Sequence, residues 1–249
     1  MKALLKSLFL SSALLAPLLV HAGVQVDRTR VIYPVGAREV AVELVNRGAS
    51  PSLVQTWVDA GDAESRPKDI DGVPFVVTPP IARIDGGMGQ SLRLSYVGND
   101  APTDRESLYW INILDIPAQQ KSANEAMAGR IEANLQFSVR NRFKIFLRPR
   151  GLPGSADAAV QTVRWQAATH QGGASLRASN PSPYYVSVAN LVIPGVGRVD
   201  ASTVVPPMGQ AYISLKSPLA AGTAFTVRTV NDYGGLVDTV VTLGASAPN

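Results

Sequence analysis

Short apolar runs separated by turn signals recur along almost the whole chain, and no segment of about ten residues holds a clear helical period. Val40 to Leu44, Leu53 to Val58, Phe75 to Thr78, Leu92 to Val97, Leu108 to Ile116 and Ile131 to Val139 follow one another. Asn46-Arg47-Gly48, Asp71-Gly72, Asp85-Gly86-Gly87 and Gly98-Asn99-Asp100 punctuate them. Strands this short and regularly spaced, rich in Val, Leu and Thr, predict an all-β antiparallel sandwich or barrel. Only Ser122 to Met127 has any helical character.

Arg148-Pro149-Arg150-Gly151-Leu152-Pro153-Gly154-Ser155 interrupts the pattern and predicts a hinge. Strand-like runs then resume at Val160 to Trp165, Ala174 to Ala178, Tyr184 to Ile193, Ala211 to Leu215, Phe225 to Val230 and Leu236 to Leu243. Pro79-Pro80 ahead of Gly89-Gln90 is echoed by Pro206-Pro207 ahead of Gly209-Gln210, at the spacing of one immunoglobulin-like domain. The expected organisation is a first domain over 23–149 and a second over 150–249. A cis bond at Thr78-Pro79 or Pro79-Pro80 is compatible with the turn expected there.

The first 22 residues belong to neither domain. Lys2 and Lys6, the apolar stretch Leu8 to Val20 and the small-residue exit Val20-His21-Ala22 predict a cleaved export signal. A spanning helix needs about 20 apolar residues, and Pro17 and His21 interrupt this run. The expected mature chain starts at Gly23 and is exported, without stable membrane insertion. Its formal charge falls from +4 to +2, with cations scattered along the chain, which gives no basis for nucleic-acid binding.

Chemistry is nearly excluded by composition. There is no cysteine, and His170, placed in a polar loop, is the one histidine beyond the leader. Thiol, Ser-His and zinc chemistry are therefore not expected, and neither a catalytic residue nor a metal or cofactor site is assigned. Asp85 to Ser91 is glycine-rich, but alternating Leu92, Leu94 and Tyr96 follow it, so it reads as a turn before a strand and not a phosphate loop. Asp62, Glu64, Asp69 and Asp71 lack the ligand alternation of a calcium loop and read as a solvated loop.

Pro117 to Val139 is the informative exception. A polar, small-residue stretch leads into Ile131, Ala133, Leu135, Phe137 and Val139 at strict period two, with Glu132, Asn134, Gln136 and Ser138 between them. On a strand this separates an apolar from a polar face. Such a pattern is ordinarily a half-buried strand. Here it follows a long loop and runs toward the Pro-rich hinge, and an exposed alternating edge calls for a partner that covers it by strand addition.

Seven motifs in order resemble the periplasmic chaperones of the chaperone–usher pathway. They are Asp27-Arg28-Thr29-Arg30; Val54 to Val58; Val77-Thr78-Pro79-Pro80-Ile81; Asp104 to Trp110 with Asn112 and Ile116-Pro117; Lys144 to Pro149; Asn180 to Val186; and Asn231-Asp232-Tyr233-Gly234-Gly235. The resemblance implies two immunoglobulin-like sandwiches set at an angle around a cleft, and partners that are pilus subunits and an outer-membrane usher. It implies that Arg30 and Lys144 bind a subunit's C-terminal carboxylate by charge-assisted hydrogen bonds. The strand Ile131 to Val139 would complete the subunit's unfinished sandwich. Four large apolar side chains entering its core contribute on the order of 6–12 kcal/mol before ordering costs. Glu106, Arg148 and Asp232 would form a salt-bridge set between the domains.

Two features depart from the family pattern. The segment from Ile116 to Lys144 is long yet lacks the cysteine pair of the long-loop subclass, and Leu147 replaces a common aromatic, so the fibre type stays open. A self-capping dimer is also open. The alternatives are a secreted two-domain sandwich binding carbohydrate or a cell surface, and a hydrolase on a β scaffold. Trp57 and Trp110 are expected in the core.

Overall fold

The computed structural model describes residues 23–68, 72–118 and 137–244. Among these residues, sixteen strands and one short helix build two sandwiches, each around its own core. The first contains β1 (Val24–Val26), β2 (Arg30–Pro34), β3 (Val40–Asn46), β4 (Ser52–Asp59), β5 (Phe75–Thr78), β6 (Ile81–Ile84), β7 (Gly89–Tyr96), β8 (Ser107–Pro117) and β9 (Val139–Arg148). Four of these form one sheet in the order β1-β3-β7-β5, and five form the other, β2-β9-β8-β4-β6.

Alternation decides which side chains meet between the sheets. Val42 and Leu44 on β3, Leu92 and Leu94 on β7, Val54 and Val58 on β4, Ile111 and Ile113 on β8, and Ile145 and Leu147 on β9 are buried together. Tyr33 is completely buried at the centre. Its hydroxyl donates to the Ala37 carbonyl (2.8 Å) and accepts from the Tyr96 N–H (3.0 Å), so the polar tip is satisfied inside an apolar core. The chain changes sheets at Pro79-Pro80, where the Thr78–Pro79 bond is cis.

One pairing departs from the antiparallel plan. β2 runs parallel to β9, with Arg30 opposite Lys144 and Pro34 opposite Arg148. β2 thus covers only residues 144–148 of β9. On that side the backbone from Val139 to Phe143 has no strand partner among the described residues, although β8 pairs with the whole opposite edge.

The second sandwich opens with a helix, α1 (Ala156–Thr162), where strand was expected from Val160. Ser155 caps it, its hydroxyl accepting from the Ala158 N–H at 3.2 Å, and Asp157 lies in the positive first turn. The apolar positions Ala156, Ala159, Val160 and Val163 recur at helical spacing and pack on the second core. Strands β10 (Arg164–His170), β11 (Gly173–Asn180) and β14 (Gly209–Ser214) form one sheet, in the order β10-β11-β14. β12 (Val186–Ile193), β13 (Gly197–Val205), β15 (Ala224–Val230) and β16 (Leu236–Thr242) form the other, β13-β12-β15-β16. The edge strand β13 was not foreseen, although Arg198, Asp200 and Ser202 alternate with the less exposed Val199 and Ala201 along it.

Two placements differ from expectation. His170 ends β10 instead of lying in a loop, stacked on the Tyr212 ring with centroids 4.1 Å apart. Neither tryptophan joins the core between the sheets: Trp57 is buried on the outer face of the five-stranded sheet, its indole N–H donating to the Ser65 hydroxyl at 3.1 Å, and Trp110 is half-buried on that same face. No helix among the described residues is long and apolar enough to cross a membrane.

Candidate functional site in the interdomain cleft

The two sandwiches meet along the end of β9. Arg148 donates from Nε to Glu106 (2.6 Å) and from Nη1 and Nη2 to both carboxylate oxygens of Asp232 (2.7 and 3.0 Å). The second oxygen of Glu106 accepts the Tyr185 N–H at 2.7 Å, and the Glu106 N–H donates to the Pro183 carbonyl at 3.0 Å. One guanidinium thus joins acids from both sandwiches. Its own burial opposes the charge, but the two carboxylates outweigh that and raise its pKa.

Local motifs hold these groups in place. Asn180 donates to the carbonyls of Tyr184 (2.7 Å) and Pro206 (3.1 Å), while its own carbonyl accepts from the Ser182 N–H and hydroxyl. This fixes the turn that presents Tyr184 and Tyr185. Tyr184 donates to the carbonyls of Leu152 and Gly154, pinning the expected hinge against the second sandwich. Asn231 closes the turn beside Asp232, its carbonyl accepting from Tyr233 and Gly235. Gly234 has φ +84°, and any Cβ there would strike the Thr29 hydroxyl of the first sandwich, so this glycine permits the close approach of the domains.

A cavity of about 270 Å³ lies at this junction, bordered by Arg30, Phe146, Arg148, Tyr185, Val230 and Asp232 among others. Arg30 is 8% exposed and donates from Nη1 to the Val230 carbonyl (2.7 Å), leaving Nε buried without a partner. Burial lowers its pKa against the opposing pull of Asp232. Lys144 does not border that cavity. It stands one strand over, its ammonium 4.8 Å from the centroid of Trp110. Burial, then the nearby Arg30 and Arg142, hold Lys144 below the ordinary lysine range. Neither Arg30 nor Lys144 has an acid within ion-pair distance among the described residues. Two adjacent, partly desolvated cations without a counter-ion favour an anion that spans them.

The same outer sheet face carries a network that the sequence did not reveal. Arg142 donates to both oxygens of the buried Asp59 (2.5 and 3.1 Å), and Asn112 donates to Asp59 at 2.7 Å. Arg140 donates from Nε and Nη2 to the Asn112 carbonyl at 2.9 and 2.6 Å. Arg140 also lies over Trp57 and Arg142 over Trp110. The period-two cations Arg140, Arg142 and Lys144 were the available signal, but their partners on β4 and β8 are distant in sequence.

Phe137 and Val139 are 67% and 52% exposed, next to the free backbone edge of β9. Ile131, Ala133 and Leu135 lie outside the described residues, as do Asp69 and Asp71 of the acidic loop. Asp62 accepts the Glu64 N–H at 2.9 Å, closing a local turn. Among the described residues no group of three or more acidic or histidine side chains could hold a metal ion.

Comparison with known proteins gives matches along the chain. Residues 23–153 match the model of the pili and flagellar-assembly chaperone, PapD N-terminal domain, and residues 158–240 that of the pili assembly chaperone PapD, C-terminal domain. The chaperone protein MrkB of Klebsiella pneumoniae is 37% identical over 223 residues, 88% of this chain and 90% of that protein. The probable fimbrial chaperone YadV of Escherichia coli is 35% identical over 225 residues, 87% of this chain and 88% of that protein. A crystal structure of a YadV chaperone superimposes with a TM-score of 0.72, covering 89% of this chain and all of that one at 32% identity. The Salmonella enterica SafB chaperone, solved in complex with the SafA pilin, gives a TM-score of 0.73 at 27% identity, covering 89% of this chain and 96% of that chain.

Proposed function

Since the chain belongs to the PapD-type pilus-assembly chaperones of the chaperone–usher pathway, we propose that it acts in the periplasm, after removal of residues 1–22, as a non-enzymatic carrier of pilus subunits. It binds a subunit whose sandwich lacks a strand, completes that sandwich, and hands the subunit to an outer-membrane usher. The observation that carries this reading is the pair Arg30 and Lys144, register partners on parallel strands, both desolvated and neither neutralised by an acid. A subunit's C-terminal carboxylate supplies the missing charge. Arg30 presents a planar fork and Lys144 a point charge, so a carboxylate held between them fixes the register of the residues that precede it.

The free edge of β9 supports the second half of the reading. A subunit strand hydrogen-bonds to the open backbone from Val139 to Phe143 and receives Phe137 and Val139 between its sheets, followed by Leu135, Ala133 and Ile131. In the free protein the same edge offers itself to a second copy, which gives a self-capping dimer as the resting form. The domains divide at 149–150, with the Glu106–Arg148–Asp232 bridge fixing the angle between them.

Co-purification from periplasm tests the proposal. Wild-type protein is expected to carry a β-rich subunit identifiable by mass spectrometry, and the folded variant Arg30→Ala/Lys144→Ala is expected to lose it. A double variant that retains the same partner rejects the carboxylate anchor.

A further inference from the structure

Asp115 near the end of β8 is 4% exposed. One of its oxygens, Oδ2, accepts the Val24 N–H at 2.8 Å, and the other, Oδ1, is buried with no hydrogen-bond partner among the described residues. No described cation lies within ion-pair distance of it. A buried carboxylate with an idle oxygen and no counter-ion is costly, and the missing element is a compact cationic donor. Gly23 is the residue at hand. A Cβ on Gly23 would collide with Asp115 Oδ2, so its Cα already touches the carboxylate. Its carbonyl accepts the Arg47 N–H at 3.1 Å, and the next N–H is the one Asp115 accepts, which fixes Gly23 on both sides.

We infer that Asp115 is a binding site for a primary ammonium group, and that its ligand is the α-amino group of Gly23 released when the leader is removed. This rests on the export reading proposed above. Hydrolysis of the Ala22–Gly23 bond consumes one water, leaves the carboxylate on Ala22 and turns the Gly23 nitrogen from a neutral amide with one N–H into an ammonium with three. That group supplies both the charge and the donors that Oδ1 lacks, within a site that admits no side chain at position 23. Maturation therefore completes an ion pair that ties β1 to β8. The lock sits where the free edge begins. Asp115 is the register partner of Val139, and a groove of about 380 Å³ lies between Gly23–Val26 on one side and Val139, Asn141 and Phe143 on the other.

The test is a thermodynamic cycle on the mature protein. Chains beginning at Gly23, and chains beginning one residue earlier at Ala22, are prepared with Asp115 and with Asp115→Asn, and their thermal midpoints are compared. The extra residue is expected to lower the midpoint by about 3–8 °C when Asp115 is present and by less than about 1 °C in the Asp115→Asn background. The same change in both backgrounds overturns the inference. Should Asp115→Asn fail to fold, acylation of the α-amine at neutral pH decides. The Gly23 chain is expected to react about tenfold more slowly than the Ala22 chain, and equal rates overturn the site. Mass spectrometry of the exported protein separates this from the premise. A start other than Gly23 refutes the assigned ligand and the leader boundary, while the cycle still reports whether Asp115 accepts an ammonium.

Discussion

Lys144 illustrates a residue selected against its own comfort. Its charge is disfavoured by burial and by Arg30 and Arg142, so its pKa is lowered in the folded chain. A base with a depressed folded pKa costs stability while it is protonated, and that cost fades as pH rises through the folded pKa toward the ordinary lysine value. Lys144→Met is accordingly expected to leave the thermal midpoint at pH 7 unchanged or to raise it by about 1–3 °C, while abolishing subunit capture. A midpoint that falls by several degrees would show that the residue supports the fold. Asp59 behaves in the opposite way. Burial pushes its carboxyl up, but Arg142, Asn112 and the Gly61 N–H outweigh burial and hold it below the usual carboxylate range. Its contribution is present above the unfolded-state value near pH 4 and is lost as pH falls through the lowered folded value. Asp59→Asn is expected to cost about 1.5–3 kcal/mol at pH 7 and to flatten the acid limb of a midpoint-versus-pH curve.

At the scale of the element, β9 is two strands in one. Residues 144–147 are paired on both edges, and residues 139–143 on one only. The Asp59–Asn112–Arg140 and Asp59–Arg142 contacts hold the half-paired stretch flat on the sheet where an outer strand would otherwise do so. Because Phe137 is mostly exposed, Phe137→Glu is expected to change stability by less than about 0.5 kcal/mol, the usual range for surface positions. Subunit co-purification is nevertheless expected to drop at least tenfold, since a charge would enter an apolar core. Retention of subunit at wild-type levels would move strand donation away from this edge. α1 is a contrasting element. Seven residues are too few to be helical alone, and its formation depends on the Ser155 cap and on packing against the second core.

Across the whole molecule, the ion pairs that link the sandwiches converge on one guanidinium, beside the hydrogen bonds from Glu106 to Pro183, Tyr185 to Glu106 and Arg30 to Val230. Arg148→Met leaves Glu106, which is almost fully buried, without its cation. The expected loss is about 3–5 kcal/mol, and calorimetry is expected to resolve two transitions where the wild type shows one. A single unchanged transition would mean that the turns around Tyr184 and Asn231 suffice to couple the domains. Subunit capture should weaken in this variant too, because Arg30 is held partly by the Val230 carbonyl of the second sandwich.

Short-range pattern determined the class of this protein. Period-two runs and turn residues were enough for an all-β chain in two parts, and the ordered motifs from Asp27 to Gly235 were enough for its family, because both are written in neighbouring residues. The helix at Ala156–Thr162 escaped because four apolar positions over two turns look like the start of a strand until a cap is recognised. Trp57 and Trp110 were assigned to the core because strand membership does not say which face of a sheet a side chain occupies. That Arg30 stands beside Lys144, that Arg148 reaches Asp232 across the cleft, and that Gly23 touches Asp115 depended on strand pairing and domain contact over separations of 84 to 114 residues along the chain. Local propensity carries no information about such pairs. Burial and the need to satisfy charge out of water do, and these exist only once the sandwiches have closed.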